Sequence, residues 1–123
     1  MRVLVATAQW FPDFAGGSAR VVSETARQLA SRGHAVTVLA PRTANAPAEE
    51  LEGNLRLLRV LLRSALPITF TDVTEVARYA RRFGRQAFDV MLGHQCTTAV
   101  GLWAARLDTP LVRVFHASAS LEL

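Results

Sequence analysis

The sequence predicts an α/β fold of three layers, a mostly parallel sheet with helices on both of its faces, and three observations predict it. Short apolar runs rich in β-branched residues recur along the chain, each bounded by loop residues, as strands buried on both faces are. Between them lie stretches whose apolar residues recur at helical spacing. Strands and helices then alternate along the whole chain, the order that a parallel sheet with crossover helices requires. The 123 residues suffice for one domain with a core of its own, and not for two of ordinary size.

The first strand is RVLVATA, Arg2 to Ala8. After a loop holding Gly16 and Gly17, the apolar residues Val21, Val22, Ala26, Leu29 and Ala30 predict an amphipathic helix, with Glu24, Arg27, Gln28 and Ser31 on its other side. Ser18 is placed to cap that helix and Gly33 to stop it. HAVTVLA is the second strand, ended by Pro41 at the start of a loop that runs from Thr43 to Gly53. This is a βαβ unit with a right-handed crossover expected. The leucines of NLRLLRVLL, Asn54 to Leu62, suit a helix or a strand, and the flanking Gly53 and Pro67 favour a third strand. Thr71 to Gln86 predicts a basic amphipathic helix, with Val73, Val76, Ala77, Ala80 and Phe83 on one face and Arg78, Arg81, Arg82 and Arg85 elsewhere. FDVMLGH is a fourth strand, TTAVGLWAARL a helix, and PLVRVFH a fifth strand closing at His116. No internal repeat or low-complexity linker interrupts this order.

Half the residues are apolar and 20% are charged, the balance of a globular protein. No uncharged run completes a membrane span, the N-terminus lacks a signal peptide's cleavage region, and the single Cys96 cannot form an internal disulfide. The chain therefore reads as intracellular. All 14 basic residues are arginine, which reflects a biased genome better than a nucleic-acid surface; the net charge of +4 still suits an anionic partner.

In a doubly wound sheet, ligands sit beyond the carboxyl ends of the strands where strand order reverses. The Gly16-Gly17 loop, His94 and His116 all fall at such ends. Amides beside a missing side chain, at a helix N-terminus with its partial positive charge, can bind an anion, and a plain tight turn is the competing reading. AGGSAR does not match the dinucleotide fingerprint, and the second strand ends VLAPR with no acidic residue for a ribose. Arg42 beside it is a weak argument for NADP. No phosphate-binding loop of the Walker type occurs, and there is no lysine to complete one. His94 and His116 suit hydrogen bonding to a substrate hydroxyl or phosphate. Neither has a carboxylate or cysteine at ligand spacing, so no metal is expected; Cys96 reads as a small buried residue and His34 as structural. The arginines of the basic helix read either as a solvated face or as a contact for an anionic membrane. No nucleic-acid motif and no complete catalytic set are present.

The segments FPDFAGGSARVVSETARQLASRGHAVTVLAPR, FDVMLGHQ and PLVRVFHASASLE resemble the N-terminal domain of retaining glycosyltransferases of family 4, which have the GT-B fold. The first segment is the most specific, with a Gly-Gly loop, a helix and an R-G-H-x-V-T-V-L strand in one register. The resemblance implies that residues 1–123 are a Rossmann-like, acceptor-side part of a GT-B enzyme that moves a sugar from a nucleotide-sugar donor to an acceptor, with retention and without a metal or other cofactor. It implies that Gly16 and Gly17 approach the donor diphosphate or the acceptor, that His116 contacts the donor sugar near the reacting centre as a catalytic residue, and that His94 binds substrate. It further implies a truncated N-terminal domain whose C-terminal nucleotide-sugar-binding partner domain is missing, inactive alone. An exposed sheet edge could then pair with a second copy. The rival readings are a stand-alone non-catalytic binding module and an NADP-dependent enzyme modifying nucleotide sugars.

Overall fold

The computed structural model of the protein describes residues 1–14, 16–61, 70–94 and 96–114, without the side chains of residues 70–72, 96 and 97. The final strand's end at His116 and the side chain of Cys96 thus lie outside the described residues.

Six strands form one sheet: β1 (Arg2–Ala6), β2 (Ala35–Pro41), β3 (Glu49–Glu52), β4 (Leu55–Leu61), β5 (Val90–His94) and β6 (Leu111–Val114), in the order β3-β4-β2-β1-β5-β6. All neighbours are parallel except β3, which pairs antiparallel with β4. Helices α1 (Gly17–Ser31), α2 (Phe70–Arg81) and α3 (Cys96–Ala104) complete the order.

Alternation along β1 builds the three layers. Val3 and Val5 point to the face where Val22 and Ala26 of α1 pack, with Val36, Val38, Leu55 and Leu57 beside them. Leu4 and Ala6 point to the opposite face and meet Val76, Ala77 and Ala80 of α2 and Leu102 of α3. Val3 to Ala6 of β1 are therefore removed from water on both faces, worth roughly 1.5–3 kcal/mol for a fully buried valine or leucine.

Four sequence expectations change. The stretch Thr43 to Gly53 is not all loop, because EELE forms β3; a short, fully exposed edge strand carrying three glutamates leaves no apolar alternation to read. Pro41 belongs to β2 rather than to the following loop, and the register slips between Ala40 and Pro41, where the missing N–H costs least. Val21 is 47% exposed, because the buried stripe of α1 runs through Ala19, Val22, Ser23 and Ala26 instead. The basic helix is shorter than expected and stops at Arg81, followed by Gly84 at φ 98°. The end of α1 is as read. Gly33 has φ 94°, its N–H donates to Ala30 O, and the N–H of His34 donates to Leu29 O, closing a Schellman motif.

Candidate functional site

The strand order reverses at β1, which has β2 on one side and β5 on the other, with Ala6 level with Gly93. From β1 the chain passes to α1 on one face, and from β5 to α3, which packs on the other. The carboxyl ends of β1 and β5 are therefore the place where strand order reverses, the position at which open α/β sheets receive ligands.

The described residues of the loop after β1 are tied down at several points. The Thr7 hydroxyl donates to Gln9 O at 2.7 Å and accepts from the Gln9 N–H at 3.1 Å, closing a small turn directly after the strand. Trp10, 1% exposed, sinks into the α1 side of the core, and its carbonyl accepts from the N–H of Phe14. The guanidinium of Arg20 lies 4.4 Å from the Phe11 ring centroid. Asp13 accepts two hydrogen bonds from Arg59, at 2.7 and 3.1 Å, with the two side chains 7% and 4% exposed. Arg59 also donates to Pro47 O at 3.2 Å and pairs with Glu50 at 2.9 Å. The hydrogen bonds it donates to Asp13, the largest influence, hold the Arg59 guanidinium above its ordinary range against the opposing effect of burial.

Gly16 is the N-cap of α1, at φ 149° and ψ 162°, a region of backbone space open essentially to glycine. The expectation that Ser18 caps the helix is corrected. Ser18 lies inside the first turn, and its hydroxyl donates to the Gln9 side-chain oxygen at 2.5 Å, because the glycine has already set the cap. No side chain caps this end and no acidic residue occupies its first turn. Among the described residues, a Cβ placed on Gly16 or Gly17 would meet nothing within 4 Å. Backbone donors and the positive end of α1 together can hold an anionic group.

His94 ends β5 and is buried, 1% exposed, and its carbonyl accepts from the Thr98 hydroxyl in α3. It sits beside the site because α3 packs tightly on β5: a Cβ on Gly93 would stand 2.6 Å from Ala99 Cα. His94 thus ends β5, the neighbour of β1, Gly16 and Gly17 lie at the start of α1 beyond the loop that follows β1, and His116 lies outside the described residues. His34 is at the opposite end of the sheet, where its Nδ1 lies 2.8 Å from the Met1 ammonium.

The basic helix is divided in its use. Arg81 donates to the carbonyls of Ala104 and Ala105 at the end of α3, and Arg85 pairs with Asp108 at 3.2 Å. Arg78 and Arg82 stack on Tyr79, with distances of 5.3 and 4.8 Å to its ring centroid. An open cavity of about 280 Å³ beneath β3, lined by Trp10, Arg27, Leu55 and Leu57 among others, includes none of Gly16, Gly17 and His94.

The family model described as Glycosyltransferase Family 4 matches residues 15–122. The chain belongs to glycosyltransferase family 4. No curated protein matches its sequence. Among solved structures, this family 4 chain is similar to sucrose-phosphate synthase from Thermosynechococcus elongatus, with a TM-score of 0.72 at 15% identity over 94% of the chain. It spans 33% of that structure's chain. A second structure of sucrose-phosphate synthase from the same organism gives a TM-score of 0.73 at 12% identity, covering 99% of this chain and 67% of the other. At such identities the likeness is one of fold, and it agrees with the Rossmann-like, mostly parallel sheet of this family 4 domain. No helix among the described residues is long and apolar enough to cross a membrane.

Sequence reasoning missed Asp13, Arg59 and Glu50. The pattern that could have found them is the period of two in LRLLRVL: Arg59 falls in phase with Leu55 and Leu57, which points a charge inward and requires a buried partner.

Proposed function

We propose that the chain is the acceptor-side domain of a retaining glycosyltransferase that takes a nucleotide sugar as donor, the partner C-terminal domain supplying the nucleotide contacts. The observation that carries this reading is the N-terminus of α1, capped by Gly16 with no side-chain cap, in the connection that leaves β1, where strand order reverses. There the loop faces the donor diphosphate or an acceptor group. His94 closes the neighbouring strand on the substrate side, and His116 contacts the donor sugar, as the family resemblance implies. Preorganised amides act where charge develops on the leaving diphosphate, and a cleft closed by two domains excludes water. Because half of that cleft belongs to the other domain, residues 1–123 alone have negligible activity.

The test is transfer or hydrolysis by the whole encoded protein across a panel of nucleotide sugars, with His116→Ala and Gly16→Val beside the parent. Loss of most activity in folded variants supports the assignment. Variants as active as the parent overturn the site and favour a binding module.

Arg78 and Arg82 carry a secondary part of this reading, contact with anionic lipid at the inner face of the cell membrane. Among the described residues neither pairs with a carboxylate, whereas Arg81 and Arg85 are engaged within the fold. Sedimentation with anionic liposomes tests it: Arg78→Glu/Arg82→Glu binding as well as the parent would remove the idea. Pairing of two copies along the β6 edge is tested by the mass of the protein in sedimentation equilibrium.

A further inference from the structure

We infer that the Asp13–Arg59 ion pair positions the Gly16-Gly17 loop for its ligand, so that both are positioning residues for the transfer reaction; this rests on the function proposed above. The pair joins two elements far apart in the sequence, beside the apolar packing of Trp10 in the cluster that holds Leu55 and Leu57 of β4. Asp13 lies three residues before the glycine N-cap of α1, and Arg59 lies on β4, two strands away from β1 in the sheet. All three guanidinium nitrogens are used, two on Asp13 and one on Pro47 O and Glu50. A forked contact of this kind fixes direction as well as distance.

Stability alone is a poor reason for such a pair. Two side chains that are 7% and 4% exposed lose their hydration, and apolar residues of the same volume commonly hold a fold as well or better. What an apolar contact lacks is orientation. Asp13 is anchored to the sheet three residues before Gly16, and Ser18 to Gln9 just after Gly17, so the pair constrains where the glycines and the first amides of α1 point. Glu50 extends the same contact to the β3 edge, which makes the loop's position depend on the β3–β4 hairpin.

The experiment compares the whole encoded protein with Asp13→Leu/Arg59→Met, the apolar replacement expected to keep the fold, and with Asp13→Asn as the single disruption. Amide hydrogen exchange is read at Phe14 and Arg20, whose N–H groups donate to Trp10 O and Gly16 O, and at Thr7, whose N–H donates to Leu39 O. The expected result for the double variant is exchange faster by at least about tenfold at Phe14 and Arg20 with Thr7 unchanged, together with a fall of roughly 10–100-fold in kcat/KM for whichever nucleotide sugar the parent turns over. Unchanged loop exchange, or equal acceleration at all three amides, overturns the inference whatever the activity. A released loop with unchanged kcat/KM also overturns it. If the parent turns over no nucleotide sugar, the proposed function falls and the reaction role with it, while the exchange data still decide whether the pair holds the loop.

Discussion

Gly101 lies so close to Val76 that a Cβ on the glycine would stand 2.6 Å from the valine Cβ, with Val73 O at 3.1 Å. Helices α2 and α3 approach each other through this missing side chain. Gly101→Ala gains helix propensity of up to about 1 kcal/mol and loses about 1–3 kcal/mol to overpacking. A net loss of about 1–2 kcal/mol is expected in urea unfolding. At Gly93 the obstacle is Ala99 Cα, backbone that cannot rotate away, so Gly93→Ala is expected to cost more than Gly101→Ala.

The two glycines of the loop separate strain from function. Gly16→Ala meets no described atom within 4 Å but is forced into φ 149°, at a cost of about 1–3 kcal/mol. Gly17 has no such angle, so Gly17→Ala leaves thermal stability within about 0.5 kcal/mol of the parent. If a ligand approaches the backbone here, Gly17→Ala lowers its affinity without lowering the melting temperature. Calorimetry beside ligand titration reads both.

The Asp89 carboxylate accepts from the Arg2 guanidinium at 3.1 Å and from the Arg2 N–H at 2.7 Å. The side-chain hydrogen bond from Arg2 is the main cause holding Asp89 below the usual carboxylate range, and the backbone hydrogen bond from the same residue adds to it. A carboxylate more acidic in the folded than in the unfolded chain stabilises the fold above its unfolded pKa, and that contribution is lost as pH falls through the folded pKa. Asp89→Asn is therefore expected to unfold at lower urea than the parent at pH 7. The two midpoints converge as the pH drops below the carboxylate range. A constant gap at all pH values would exclude the carboxylate as its source.

The two tryptophans differ in packing, and their quenching by acrylamide is expected to differ with it. Trp10 is 1% exposed and Trp103 65% exposed. Trp103→Ala is expected to shift stability by no more than about 0.5 kcal/mol and to remove most acrylamide-quenchable fluorescence. Trp10→Ala costs about 3–5 kcal/mol, since it empties a site in the α1-side core.

Much of this was legible in the sequence. β1, β2 and β5 are apolar runs and α1 has a stripe, so pattern alone located them, whereas the leucines of β4 suit a helix or a strand and needed the flanking Gly53 and Pro67 to decide. The Gly16 turn was legible because only glycine suits such a backbone angle. β3 was not, since its exposed glutamates have no burial period. Nor was the Asp13–Arg59 pair, because its partners are 46 residues apart and meet only after the sheet is assembled. Ser18 was misread as a cap for a related reason: a serine near a helix start is a good capping candidate until a glycine two positions earlier takes that place.

Strand β1 lies at the middle of the sheet, and its two neighbours reach it at different times. Its partner β2 follows after a single helix, whereas β5 begins with Val90, roughly 50 residues beyond the end of β2. At a synthesis rate of about 5–20 residues per second, several seconds pass in which one side of a buried, apolar strand has no partner. The β5 side of β1 is thus covered late on the ribosome, before only the pairing of β5 with β6. A chaperone, or an early contact from α1, has that interval in which to guard it against pairing with a neighbouring nascent chain.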